Sequence, residues 1–235
     1  MSKYSSIKKA CEINDIVFKD LVKNFNFRTE KEISKYILKK FKDFKVKKAY
    51  DPIVTNNNMR IHPKPRNKTF KRGFLILDFA CKVNNYCSDM TRTIFLGKAN
   101  NHEKYLYNLV LNCEKKCIKK LKINMNYCDL EIYSRILLKN YKMHFKHSLG
   151  HGLGKKVHDA PRINALSSDK VSKKQFITIE PGIYFKEKGK EIGIRIEDTV
   201  YIGNEIEVLS RCSKKIFPSS ALFTPAKRII FTSRS

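Results

Sequence analysis

The sequence predicts an α+β fold with a duplicated architecture, in which a unit of helix, helix and strand pair occurs twice. Three observations predict it. Apolar residues recur at mostly helical spacing in four stretches, two in each half of the chain. Strand-like pairs follow the helices at matching places, over residues 74–96 and 175–202. A hydrophobic content of 42%, with no run long enough to span a membrane, is available for a sizeable core.

Over residues 5–23, Ile7, Ala10, Cys11, Ile13, Val17, Leu21 and Val22 suit an amphipathic helix. Thr29-Glu30-Lys31-Glu32 then reads as a capping box, the Thr29 hydroxyl covering an orphan amide and Glu32 reaching back. The helix it opens carries Ile33, Ile37, Leu38 and Phe41. Residues 49–55 read as extended, Asn56, Asn57 and Asn58 as a loop, and 59–72, with Pro63 and Pro65, as irregular. Strands are expected over 74–83 and 86–96, joined at Asn84-Asn85, because Asn tolerates the left-handed backbone of a tight hairpin. Helices are expected over 101–122 and 127–142, and a second strand pair over 175–185 and 192–202. Residues 1–217 form the expected domain. Residues 218–235, with Pro218, Pro225 and several Ser and Thr, form the expected C-terminal tail.

Residues 147–158, His-Ser-Leu-Gly-His-Gly-Leu-Gly-Lys-Lys-Val-His, hold three of the six histidines. Neutral imidazole is the commonest side-chain metal ligand, and glycine lets a backbone come close to a bound group or take positive φ. The spacing is neither that of a helical zinc protease nor that of a phosphate loop. A surface turn with stray histidines is the bland alternative, and carboxylates elsewhere weigh against it. With the hairpin turn at Asn84-Asn85, Asp89 faces Ala80 and Asp78 faces Thr91, so both acids point to one side of the ribbon as diagonal neighbours. They sit among Leu75, Ile76, Leu77, Phe79 and Ala80, where unpaired carboxylates would cost several kcal/mol. Cations are one remedy; a salt bridge to Arg92 or a lysine is the other. The second strand pair supplies Glu180 and Glu197, each after an apolar run, with Arg195 on the face of Glu197. Arg195 is placed to orient Glu197 or a substrate carboxylate, and a structural ion pair is the alternative. Four carboxylates and His151 make a hard donor set that suits Mn(II), with Co(II) or Zn(II) as alternatives, and four negative charges balance two divalent ions.

Six motifs carry a family resemblance. They are Asp78-Phe79-Ala80, Ser88-Asp89-Met90-Thr91-Arg92-Thr93, His147-x-x-Gly150-His151-Gly152-x-Gly154, Val157-His158-Asp159-Ala160-Pro161, Thr178-Ile179-Glu180-Pro181-Gly182-Ile183-Tyr184 and Arg195-Ile196-Glu197-Asp198-Thr199. Together, over about residues 5–215, they resemble the pita-bread dinuclear metallopeptidases, nearest the Xaa-Pro aminopeptidase and prolidase branch. The resemblance implies duplicated halves around a curved antiparallel sheet. It implies a metal-bridged hydroxide that hydrolyses the peptide bond before proline at a peptide's N-terminus. Asp78, Asp89, His151, Glu180 and Glu197 would hold two metals, with Asp89 and Glu197 bridging. His158 would hydrogen-bond the scissile carbonyl, His147 would lie on the leaving-residue side, and His62, in Ile61-His62-Pro63-Lys64-Pro65, near the leaving nitrogen. Arg195 would support Glu197 and the product side, and Glu180 would also shuttle a proton. Relatives of this branch carry a domain before the catalytic one that shapes the pocket and the oligomer; here the catalytic domain alone is expected. A homodimer is the assembly to consider.

Lys and Arg exceed Asp and Glu, giving a formal net charge of +27. Most of the basic residues are lysines spread along the whole length, and Lys, Asn and Ile share AT-rich codons, so codon bias competes with a polyanion partner as the cause. Only unspecific, salt-sensitive contact with nucleic acid is expected. Seven scattered cysteines, no Cys-x-x-Cys pair and no apolar block after the N-terminal lysines point to a reducing cytoplasm without a signal peptide. Cys113 and Cys117 read as core residues one helical turn apart. Two rival functions remain: a methionine aminopeptidase on the same fold, and an inactive pita-bread protein that binds nucleic acid or a protein partner. The residues around Glu180 and Glu197 favour the proline branch, and the complete set of five ligand positions weighs against an inactive relative.

Overall fold

Ser2 starts the first helix by accepting the Ser5 amide on its side chain, and α1 (Lys3–Lys23) buries Ile7, Ala10, Cys11, Val17, Phe18 and Leu21 along one face. The computed structural model describes residues 1–216, so the expected tail over 218–235 lies outside the described residues. Thr29 caps α2 (Glu30–Asp43) by accepting the Glu32 amide. Glu32 reaches back one residue further than a capping box requires, to the Arg28 amide at 2.7 Å. Acids in the first turn of α2 and lysines in its last complement the helix dipole.

Six short strands follow: β1 (Lys47–Lys48), β2 (Ile53–Asn56), β3 (Gly73–Asp78), β4 (Cys81–Val83), β5 (Tyr86–Cys87) and β6 (Thr91–Leu96). The hairpin turns at Asn84 and Asn85 with φ of 49° and 65°, the left-handed pair that a two-residue turn demands. Its register is the expected one, with Asp78 opposite Thr91 and Val83 opposite Tyr86. The two long strands read from the sequence are each broken, around Phe79-Ala80 and around Ser88-Asp89-Met90.

The second half repeats the order. A full capping box at Asn100 and Glu103 opens α3 (Asn101–Lys120). The stretch expected as one helix over 127–142 divides into α4 (Tyr127–Leu137) and a 3-10 turn (Lys139–His144), whose first residue, Lys139, has positive φ. Then come β7 (Gly150–Gly152), β8 (Asp159–Ile163), β9 (Gln175–Ile179), β10 (Gly182–Glu187), β11 (Lys190–Arg195), β12 (Asp198–Ile202) and β13 (Ile206–Val208). The second pair also breaks, at Glu180-Pro181 and Ile196-Glu197, yet its register runs unchanged from Ile179 opposite Asp198 to Gly182 opposite Arg195.

Antiparallel sheets in the orders β2-β3-β6 and β13-β12-β9-β7-β8 form the two halves, extended by the ribbons β1-β4-β5 and β10-β11. Two main cores lie largely one to each half, the later one also taking in Phe74 and Phe95, and a smaller cluster of Ile7, Cys11, Cys87, Leu153, Phe176 and Leu209 joins the halves. Ile13, Val17, Ile33, Ile37 and Phe41 of the first helices pack on Leu75, Leu77 and Ile94. Leu106, Val110, Cys113, Cys117 and Leu130 of the later ones pack on Ile177, Ile179, Ile194 and Val200. Cys113 and Cys117 are therefore core residues. Among the described residues no helix is long and apolar enough to cross a membrane.

Candidate metal centre and substrate cleft

The breaks in the strand pairs are where the acids sit. Asp78 ends β3, Asp89 lies between β5 and β6, Glu180 between β9 and β10, and Glu197 between β11 and β12. The unbroken register on either side of the second gap sets Glu180 opposite Glu197. His151 is the middle residue of β7. Its neighbours are glycine because the backbones touch: a Cβ on Gly150 would lie 2.0 Å from the Thr178 carbonyl oxygen, and one on Gly152 1.9 Å from that of Ala160. Close approach, not positive φ, is what these glycines provide.

The two halves are stitched at the site. The Glu197 amide donates to Thr91 O at 3.1 Å, and the Thr91 hydroxyl donates to Glu197 Oε2 at 2.6 Å. Ligand atoms of Asp89, His151 and Glu197 all lie within 4.8 Å of one another. His151 Nε2 is 3.4 Å from Glu180 Oε1 and 3.7 Å from Asp89 Oδ2. His151 Nδ1 lies 3.1 Å from Gly152 O, so that nitrogen carries the proton and donates it there, leaving the Nε2 lone pair toward the acids. Asp78 joins through Tyr50, whose hydroxyl contacts Asp78 Oδ1 and Asp89 Oδ1, the latter at 2.5 Å. Thus the five expected residues come together, three of them tightly.

Sequence reasoning missed Tyr50, which carries no periodic or motif signal, and the Thr91 hydroxyl. Arg195 differs from expectation. It is 1% exposed, is absent from the cleft lining, forms an ion pair with Asp78, and reaches Glu197 only through Thr91 Oγ1, 3.1 Å from its Nε. The packing of β11 on β3 puts its guanidinium beneath the cleft, so the expected substrate contact is replaced by a structural one. Arg92, the alternative partner considered for the aspartates, is committed instead to Asp198 at 2.8 Å.

An open cleft of about 1690 Å³ exposes Asp78, Asp89, His151, Glu180 and Glu197 together with His62, His147 and His158. The His158 ring meets His151 edge to face, 4.5 Å between centroids. Arg195 Nη1 donates to the Tyr184 hydroxyl at 2.7 Å, which lies 3.0 Å from His147 Nε2. His147 Nδ1 donates to Ser148 O at 2.9 Å, so Tyr184 donates to Nε2 and both ring nitrogens are engaged.

Residues 5–204 match the profile of metallopeptidase family M24. The chain belongs to that family. An Xaa-Pro dipeptidase of Pyrococcus furiosus is 34% identical over 205 residues, covering 83% of this chain and 58% of the relative. A solved prolidase of Pyrococcus horikoshii superposes with a TM-score of 0.86 at 30% identity, covering 92% of this chain and 63% of that one. An X-Pro aminopeptidase structure of Thermotoga maritima gives 0.85 at 30% identity, with 92% and 62% coverage. The fold is therefore the pita-bread fold of these M24 structures, and the chain spans about three-fifths of the length of the relatives it matches.

The donor set fits the divalent metals of an M24 peptidase. Burial pushes the carboxyls of Asp89, Glu180 and Glu197 well above the ordinary range, and their mutual repulsion adds to it: Asp78 acts on Asp89, Glu197 on Glu180, and Asp89 on Glu197. Arg195 offsets only part of the charge of four carboxylates, and divalent ions among hard oxygen donors would supply the rest.

Burial and the nearby Arg195 charge lower His147 to about 3. An unfolded imidazole takes up its proton near pH 6.5, while the folded one stays neutral down to about pH 3, so stability falls with pH across that window. Relative to a His147→Asn variant, the wild-type protein should lose about 2 kcal/mol of stability between pH 7 and pH 5. Urea melts at the two values measure this, and equal losses in both proteins would refute it.

Proposed function

We propose that this chain is a divalent-metal-dependent aminopeptidase that hydrolyses the bond before proline at the N-terminus of peptides. The observation that carries the reading is the convergence of Asp89, His151 and Glu197, flanked by Asp78 and Glu180, in a cleft wide enough for a peptide. The names of the similar proteins, Xaa-Pro dipeptidase, prolidase and X-Pro aminopeptidase, support the substrate class.

In this reading Asp78, Asp89, His151, Glu180 and Glu197 hold two ions, Mn(II) first and Co(II) or Zn(II) as alternatives. The bound ions supply Lewis acidity and an activated water. The protein's own groups do the rest. His158, exposed beside His151, donates to the oxygen of the scissile carbonyl. His62, on the cleft lining, stands by the leaving nitrogen; desolvation and the Arg195 charge hold its pKa below the usual range, so it meets that nitrogen as a neutral ring. His147 has no free ring nitrogen and acts as a fixed wall on the leaving-residue side. Glu180 is the most open carboxylate, with 16% of its side chain exposed against 8% for Asp78 and 6% for Asp89, and is the one placed to exchange a proton with the cleft. Proline lacks an N–H, so recognition rests on the ring and the free amine rather than on a donor at that position.

The test is a panel of Xaa-Pro dipeptides, longer Xaa-Pro peptides and Met-Ala-type peptides, each assayed with Mn(II), Co(II) and Zn(II). Cleavage before proline is the expected result. Turnover of Met-Ala-type peptides alone would replace this reading with a methionine aminopeptidase.

A further inference from the structure

We infer that residues 209–216, keyed into the fold by Lys214, position Asp89 and Glu197 from outside the cleft, which makes Lys214 a positioning residue for metal binding. The inference rests on the metal-holding roles proposed above. None of these eight residues lines the cleft.

After β13 the chain returns as a strap across both halves. Leu209 N–H donates to Thr199 O at 2.9 Å. Asp15, on α1, accepts the amides of Arg211 at 2.7 Å and Cys212 at 2.8 Å. Tyr107, on α3, donates its hydroxyl to Lys214 O at 2.9 Å. The Lys214 ammonium then enters between two buried acids, Glu114 at 2.8 Å and Asp198.

Two routes lead from the strap to the acids of the site. In the first, buried Arg92 donates to Ser210 O and Cys212 O, to Asp198 Oδ1 at 2.8 Å, and to Glu197 O at 2.6 Å. In the second, Ser210 Oγ accepts the Thr199 amide at 3.1 Å, while the Thr199 hydroxyl donates to Asp89 O at 2.7 Å and accepts the Asp89 amide at 3.2 Å. Each route ends on the backbone of one carboxylate. Charge decides what Lys214 does for the first. Asp198 meets both Arg92 and Lys214, Lys214 also meets Glu114 Oε1, and Glu114 Oε2 has no hydrogen-bond partner among the described residues. Without Lys214, Arg92 is the one cation left to Asp198 among the described residues, and the guanidinium is drawn toward that carboxylate and from the Glu197 carbonyl, whatever stands at position 114. Supporting groups of this kind hold ligands in place, and losing one typically lowers metal affinity or activity about 10–100-fold.

The experiment titrates metal-free protein with Mn(II) by calorimetry and with Co(II) by visible absorption. K214M should bind the weaker ion about 10–100-fold less tightly and lose kcat, with KM for an Xaa-Pro peptide nearly unchanged. K214R should restore binding, and K215M, at the exposed neighbour, should match wild type. Because K214M leaves Glu114 buried without its lysine and can unfold, K214M/E114Q, which removes that acid but still leaves Asp198 with Arg92 alone, is measured beside it. A folded K214M/E114Q that binds both ions within twofold of wild type overturns the inference alone. Wild-type protein that takes up neither Mn(II) nor Co(II) overturns the metal-holding roles and this inference with them.

Discussion

Asp89→Ala should remove the proposed peptidase activity and metal uptake while leaving the fold intact. Asp89 sits at the centre of the cluster, near His151 Nε2 and sharing the Tyr50 hydroxyl with Asp78. Its methylene stem contributes little to the cores, and burial and repulsion hold its carboxyl pKa well above the ordinary range. Alanine therefore deletes a ligand and relieves repulsion together. Turnover should fall about 10³-fold or more, at least the scale of losing one preorganised electrostatic group. In EDTA the variant should melt at or above the wild-type temperature, whereas added Mn(II) should raise only the wild-type value. Glu180→Ala should behave in the same way. Wild-type turnover in either variant would remove the site from consideration.

Arg195→Met should have the largest effect on stability. The guanidinium is buried with Asp78, the Tyr184 hydroxyl, the Thr91 hydroxyl and Ile61 O around it. It is the cation paired with the acid cluster in the metal-free protein. Truncating one partner of a buried pair costs about 3–5 kcal/mol, which for a chain of this size lowers the melting temperature by roughly 6–20 °C. Divalent metal supplies positive charge to the same carboxylates, so Mn(II) should recover part of the loss. Differential scanning calorimetry with EDTA and with Mn(II) separates the two contributions. A variant that melts with wild type in EDTA would show that Arg195 does not balance the acids.

What the sequence made legible was local or periodic. The Asn84-Asn85 turn predicted the register that puts Asp78 opposite Thr91, because a two-residue hairpin leaves only one alignment. The helices were readable from apolar spacing, since each buries a single face. The bends that aim the acids, Asp78 and Asp89 as diagonal neighbours and Glu180 opposite Glu197, were not readable, because they depend on pairing between strands and not on composition. Tyr50 reaches Asp78 across 28 residues and Lys214 reaches Glu114 across 100, distances at which no period survives. Arg195 was assigned to Glu197 by strand alternation and by the family resemblance. Its ion pair with Asp78 spans 117 residues and follows from one half packing on the other.

The seam at Thr91 and Glu197 has a thermodynamic consequence. The N-terminal half brings Asp78 and Asp89, and the C-terminal half brings His151, Glu180 and Glu197, so neither holds a full coordination set. If these residues hold the ions as proposed, ion capture and the docking of the halves are linked equilibria, each strengthening the other by the same factor. Loading the cage would then rivet the two lobes, and any opening motion across their boundary would first have to surrender a cation.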